Sequence, residues 1–494
     1  MMKIISFQPE LRPELPLVDG PKEYNQQRTL FERLDQLLSM SELENEFFKL
    51  SIAHRKIDLR SMSSAQLQYM RKSTTLAFRS NLARLITGLD HRGFCIRLAD
   101  SALLQWFLGV NHVDGAHTFA KSTSDRFAHY IDAASLQSLN AKLIALLNTK
   151  QSSKLGLKTS LSFKAVYFDS TCLKAPIHHP VDWVLLRDAT RSLMKAVKRI
   201  RTEGLFKRMP QEPLVFLSQM NTLCMTMTAK RHTREAKKHR KHVLREMKTL
   251  LKRVVGHAQR HLDLLKQLER TPRLHPGHIQ QITTAMESII QQVPTIIQQA
   301  HERIIGGRKL SNKDKVLSLY DPDVEIIKRG KSNAEVEFGN NLWLGESQDG
   351  LIVDYLFEKE KTSDAQQIEA AIDRLCAEQS LPVSHVWGDR GLHSLANEQI
   401  LKAQGIYSGL CPREVSALKV RMSAEPELRA GLKRRANTEA RISIIIRKFM
   451  GRPARANGFK HREMMVGWAV LAHNLWKLSS FEQAKHPPPI EKAA

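Results

Sequence analysis

Three acidic residues stand where carboxylates could gather. Asp169 in YFDST and Asp389 in WGDRG each close an apolar, β-branched or aromatic run that reads as a buried strand. In α/β sheets, ligands collect at the carboxyl ends of strands. Two carboxylates there make a negative site that calls for a hard cation, and Mg²⁺ takes such ligands together with water and phosphate oxygens. A third would complete a two-metal phosphodiester site, one ion activating the nucleophile and the other stabilising the leaving oxygen. Glu439 in LKRRANTEARISIIIRKF is the best third candidate. It falls on a predicted helix with Arg435 four residues earlier on the same face, where the arginine could hold a phosphate while the glutamate holds the ion.

Each residue has a plainer reading. An Asp at a strand end can be a turn former or helix cap, and a Glu in a basic helix can be a salt-bridge partner. What favours chemistry is the order: strand Asp, strand Asp, helix Glu. Asp182 competes with Asp169, which is preferred because it ends a strand; Glu463 competes with Glu439 but has no arginine four residues earlier. His257 and His261 have i, i+4 spacing that could bind a metal, but in a basic helical setting they read as a DNA-facing or solvent-exposed surface. Arg329-Gly330-Lys331-Ser332 imitates the end of a P-loop, yet Glu325 stands where its glycine is required, so no nucleotide is expected.

The elements that must position these groups follow from periodicity. Residues 29–144 have helical spacing, with Ser63 or Ser64 capping SSAQLQYMRKSTTLAFRSNLARLI and a short helix, LADSALLQWFLGV, ending near Gly109. Short helices dotted with arginine suggest a helix-turn-helix type of DNA reader, the alternative being a plain bundle with a solvated basic face. KAVYFDSTCL is a strand. After Trp183 the chain is helical for about 125 residues, and two long apolar stripes flanking TPRLHPG predict an antiparallel helical hairpin. Beyond Leu317 come two or three strands around an Asp349-Gly350 turn, then helix, strand, helix and strand: a mixed α/β sheet interrupted by a helical insertion.

Composition narrows the class. The 494 residues carry a net charge of +26, hard to reconcile with a chain free of polyanions. Residues 184–310 hold 26 basic and 9 acidic residues, and 419–478 hold 14 and 4, which leaves the rest near neutral. No window approaches the ~20 apolar residues of a membrane span, and the first residues lack a signal-peptide core, so a soluble, cytoplasmic protein is expected. Five scattered cysteines without a Cys-x-x-Cys argue against a disulfide framework or a cysteine zinc site.

At this point the chain resembles the DDE transposases of bacterial insertion sequences, which have an RNase H-like catalytic core. FDSTCLKAPIHHPVDWVLLRDATR is similar to the family's first-aspartate strand and following helix, and IIKRGKSNAEVEFGNNLWLGESQDGLI to its Gly-Lys and Glu-Phe-Gly hairpin. HVWGDRGLHSLAN resembles the second-aspartate motif, RRANTEARISIIIRKF the glutamate helix and MMVGWAVLAHNLWKL the last helix. The resemblance implies Asp169, Asp389 and Glu439 as a metal-binding catalytic triad, with two Mg²⁺ ions for which Mn²⁺ can substitute. It implies Arg435, from the Tyr-Arg-Glu-Lys signature, as a substrate contact, with Lys331 and Arg390 beside it. The signature departs at two positions. Leu432 replaces its tyrosine and Ile446 its lysine, whose phosphate contact Arg447 could take over.

The expected organisation is a tail (1–28), a helical DNA-binding domain (29–158), an RNase H-like α/β domain (159–183 and 311–478), a basic helical insertion (184–310) and a second tail (479–494). The expected function is binding of terminal inverted repeats, metal-dependent cleavage and strand transfer into target DNA, with at least a homodimer on paired ends and neither membrane nor nucleotide as partner. A nuclease without strand transfer and a catalytically decayed DNA-binding protein remain the alternatives.

Overall fold

The computed structural model describes residues 20–481 apart from 113–114, 150–154, 159, 230–233, 272 and 332–333, together with 14, 15 and 18. The chain divides into two compact units, residues 1–176 with 339–494 and residues 177–338. Among the described residues, no helix is long and apolar enough to cross a membrane.

The first unit opens with helices α1 (Lys22–Ser41), α2 (Leu43–His54) and α3 (Ser64–Thr87). A capping box starts α3: the Ser63 hydroxyl accepts from the Gln66 N–H, and the Gln66 side chain accepts from the Ser63 N–H. The LADSALLQWFLGV segment is not one helix. It is the end of α4 (His91–Asp100) and the whole of α5 (Ala102–Leu108), separated by Ser101, whose hydroxyl caps the second. A two-residue pair, β1 (Asn111–His112) and β2 (Gly115–Ala116), leads to α6 (Lys121–Ala128) and α7 (Ala133–Asn148). Arg79 of α3 is 2% exposed, and it ties α1, α2 and α5 together through Asp35, Glu44 and the Phe107 carbonyl. A single apolar core runs from Phe31 of α1 through the sheet to Leu478 of α16 (Phe459–Leu478). Residues 29–158 thus share their core with the sheet.

Five strands form the sheet of this unit in the order β6-β5-β3-β7-β8. They are β3 (Ala165–Lys174), β5 (Ala334–Ser347, in this unit from Gly339), β6 (Ile352–Glu358), β7 (His385–Gly388) and β8 (Tyr407–Leu410). β5 runs antiparallel to β3 and to β6, while β7 runs parallel to β3 and to β8. The expected mixed sheet is present, with one correction: β3 does not stop at Asp169. Its antiparallel ladder continues through Asp169↔Leu344 to Lys174↔Gly339, so the aspartate is the fifth of ten strand residues. It lies instead just past the end of the parallel ladder with β7.

Between β6 and β8 lie α12 (Gln367–Asp373) and α13 (Leu395–Ala403). After β8 come α14 (Val415–Ala424) and α15 (Pro426–Ile444), the latter beginning with proline at its first position, where the missing N–H costs nothing. α15 lies across β3, β7 and β8.

The second unit contains α8 (Asp182–Thr202), α9 (Pro213–Ala229), α10 (Arg234–Lys266), α11 (Pro276–Ala300) and β4 (Glu325–Lys331). α10 and α11 pack on each other as the hairpin expectation requires, but both also pack on α8, and one apolar core joins all four helices. The apolar stripe of α8 and the side chains of Phe216, Met220, Cys224 and Met227 of α9 complete that core.

Candidate carboxylate site

Strand register brings the two aspartates together. The parallel pairing runs Ala165↔His385, Val166↔Val386 and Tyr167↔Trp387, two residues short of each aspartate, and Asp389 lies close enough for its charge to act on Asp169. Side chains alternate along a strand, so Asp169 shares a face with Tyr167, while Phe168 turns to the main core and stacks on Trp343. On the Tyr167 face lies a small apolar cluster of Tyr167, Trp387 and Leu428, with Leu432 packed against it. The Trp387 indole lies against Gly409 of β8 and Gly431 of α15, and a Cβ at either glycine would overlap the ring. Glycine at 431 is what lets α15 approach the sheet closely. Arg435 follows four residues later and Glu439 four after that, on the flank of the helix turned to the aspartates.

The guanidinium of Arg435 links the helix to the sheet, its Nη1 3.8 Å from Asp169 Oδ2 and its Nη2 3.6 Å from Glu439 Oε1. Backbone donors hold the aspartates: Ser170 N–H donates to Asp169 Oδ1 (2.8 Å) and Gly391 N–H to Asp389 Oδ1 (2.8 Å). Burial pushes the Asp169 carboxyl up to about 6. The Asp389 charge pushes the same way, the Ser170 N–H and Arg435 oppose it, and Glu439 adds a smaller upward push. Burial therefore outweighs the nearby Arg435 charge at Asp169, despite the +26 of the chain.

These groups are the ones that could hold a cation, with Asp169 and Asp389 as the pair already facing each other. Among the described residues, no group of three or more His, Cys, Asp or Glu is gathered closely enough to hold one metal ion. Glu439 is 67% exposed and is engaged by Arg435.

The other expected residues have different fates. Arg390 is exposed beside Asp389, and Arg447 is exposed two turns beyond Glu439. Ile446 packs against the main core, which removes it from any phosphate contact. The side chain of Lys331 lies outside the described residues. Asp182 belongs to the second unit, buried at the start of α8, where it accepts from Gln299 (2.9 Å) and Arg303 (2.7 Å). Glu463 is on α16, and burial raises its pKa. His257 and His261 are buried rather than solvent- or DNA-facing. His261 Nε2 accepts from the Lys207 N–H (3.3 Å) and its Nδ1 bonds the His257 carbonyl (2.8 Å), so the ring ties the loop after α8 to α10.

One residue with no motif proves central to the site's framework. Glu346, at the end of β5, is fully buried, and its Oε1 accepts from Arg434 Nη2 (3.3 Å) and Arg441 Nε (3.2 Å) of α15. Arg434 also covers the Tyr167 ring at 4.5 Å and donates to the carbonyls of Ser347 and Gln348. The helix that carries Glu439 is thus clamped to the sheet by two arginines one heptad apart. Only the polar character of the GESQDG turn hinted at this, and that hint does not separate a buried clamp from a solvated residue.

Compared with protein-family models, with curated proteins and with solved structures, the chain matches none.

Proposed function

We propose that the protein is a DDE transposase with an RNase H-like core, which binds the terminal inverted repeats of its element and cuts and rejoins DNA at the carboxylate site. The observation that carries this reading is that Arg435 lies between Asp169 of β3 and Glu439 of α15, with Asp389, just past β7, close enough for its charge to act on Asp169. Their order and chemistry match the resemblance residue by residue. The mixed sheet is the kind of core this reading calls for.

Asp169 and Asp389, joined by Glu439, would hold Mg²⁺, which when bound supplies activation of the attacking oxygen and stabilisation of the leaving one. The protein's own contribution is positional. Ser170 and Gly391 N–H groups fix the two aspartates, and the Glu346 clamp sets the height of α15. Arg435 is placed to exchange its carboxylate contacts for a substrate phosphate once a cation takes its place. Arg390 and Arg447 stand exposed for further phosphate contacts. An in-line displacement at phosphorus needs little more than this positioning and charge neutralisation.

The test is an assay on a duplex carrying the inverted repeats that flank the coding region, with Mg²⁺ and an unrelated target duplex. Cleaved 3′ ends and end-to-target joints are expected. Cleavage without joints would favour the nuclease, and cleavage that survives Asp389→Ala would reject the carboxylate assignment.

The charge of the helical region supports the same reading. On α10, Lys237, Lys241, Arg245, Lys248 and Lys252 recur at helical spacing on one face, while Leu244, Met247, Leu251 and Val254 are buried. No acidic residue interrupts that stripe. The Lys248 ammonium is held below the ordinary lysine range by burial and then by Lys252 and Arg245. Such a stripe gains by meeting phosphates and releasing their counterions. Replacing Lys237, Lys241, Arg245 and Lys252 by Gln is expected to lower the slope of log K against log salt by roughly 3. Fluorescence anisotropy on labelled duplex from low to moderate KCl reads this directly. An unchanged slope would count against α10 as a DNA contact.

A further inference from the structure

The flank of α15 turned away from the aspartates borders a second polar site. A cavity of about 330 Å³ opens between α15, the Gln348–Gly350 turn and α16, lined by Arg434, Arg441, Lys477, Asn437 and Asp349. Arg434 and Arg441 are the arginines that clamp Glu346, and Lys477 comes from the last turn of α16. Gly350 has φ +88, and a Cβ there would come within 2.6 Å of Arg441 Nη2 and 3.3 Å of Lys477 Cε. The bare glycine therefore leaves room for both cations at the turn.

We propose that this cavity binds a phosphate group, either as free inorganic phosphate or as a backbone phosphate of nucleic acid. Three cationic residues line it. Two carboxylates answer them: Glu346, fully buried beneath the arginines, and Asp349, whose Oδ2 already accepts from the Ser162 N–H at 2.7 Å. One positive charge is left over, which matches a phosphodiester or a singly ionised phosphate. The cations also repel one another: Lys477 is held below the ordinary lysine range by burial and then by the Arg441 guanidinium. An oxyanion among them relieves that repulsion and gives charge-assisted hydrogen bonds to both kinds of donor. The asparagine amide of Asn437 adds a neutral donor on the same rim.

Binding here is independent of the carboxylate chemistry, since Glu439 points from another side of the helix. It would nevertheless brace α15, because its ligand holds the two residues that anchor the helix to β5.

The measurement uses the full chain without divalent metal. Sodium phosphate is titrated against chloride of equal ionic strength, with binding read by calorimetry and by the thermal midpoint. Phosphate is expected to raise the midpoint beyond the chloride control. Lys477→Gln should weaken phosphate binding roughly tenfold, and Lys477→Arg should restore most of it, which separates a lost charge from a lost fold. If Lys477→Gln also weakens binding of a short duplex, the occupant is a backbone phosphate; if only inorganic phosphate is affected, it is the free anion. Equal phosphate binding by wild type and Lys477→Gln would overturn the proposal. So would loss of phosphate binding in the α10 glutamine variant but not in Lys477→Gln. Neither cleavage nor joining enters this measurement, so its failure leaves the transposase reading untouched.

Discussion

Asp169→Asn is expected to abolish metal-dependent cleavage and, in the same molecule, to make the metal-free protein more stable. Asparagine keeps the shape and can still accept the Ser170 N–H, but it carries no charge to hold a cation. The stability gain follows from the carboxyl's position, 17% exposed and facing Asp389. Its folded value of about 6 lies above the ordinary 3.8, so the folded chain binds that proton more tightly than the unfolded chain does. Stability therefore falls as pH rises from about 4 to about 6, and above that range the ionised group costs on the order of 3 kcal/mol. Urea denaturation in chelator at pH 7.5 should find the variant more stable by roughly 2–3 kcal/mol, and at pH 4 the difference should have nearly vanished. Adding Mg²⁺ should stabilise the wild type and leave the variant unmoved. A variant less stable than wild type at pH 7.5, or a gain independent of pH, would mean that burial does not disfavour the ionised Asp169.

Glu346→Ala is the second large effect, and its sign is opposite. The carboxylate has no exposure, while Arg434 and Arg441 are only 20% and 16% exposed. Removing it leaves two largely buried guanidinium groups facing each other with no counter-charge, a loss of about 3–5 kcal/mol. Glu346→Gln keeps one acceptor oxygen for the arginines and should lose markedly less. Because α15 carries Arg435 and Glu439, any cleavage activity should fall in both variants in proportion to how far the helix loosens. Denaturation midpoints and initial cleavage rates measured side by side test the coupling. A loss below about 1 kcal/mol in the alanine variant would show that the arginines are content without the glutamate.

How far the sequence disclosed this site depended on the range of the interaction. Asp169 and Asp389 could be picked out because each follows a short apolar run, and Arg435 and Glu439 because four residues make a helical turn. These are local patterns. The position of Asp169 within β3 is not legible locally because a strand's length is set by its partner, and β5 keeps pairing past the aspartate as far as Lys174. Glu346 carries no local signal because its partners lie 88 and 95 residues away. The packing of Trp387 against Gly409 and Gly431 is likewise non-local. The core shared by α1–α7 and the sheet was hidden too, since an amphipathic helix announces that it has an apolar face but not what covers it. Likewise α8 and α9 gave no sign that they would complete the core of α10 and α11.

The division of the first unit into two stretches of chain also sets an order of events during synthesis. β3 is made before any of the second unit, and its neighbours in the sheet, from Gly339 of β5 onward, only after residues 177–338. At roughly 5–20 residues per second, translating those 162 residues takes on the order of ten to thirty seconds. The helices of residues 177–338 have a core of their own and can close during that interval, whereas β3 waits with both edges unpaired. The carboxylates meet later still, because Asp389 follows Asp169 by 220 residues and Glu439 by 270. A nascent chain long enough to present Asp169 and the whole of α10 thus carries most of the basic charge of residues 184–310 before it has an assembled carboxylate site.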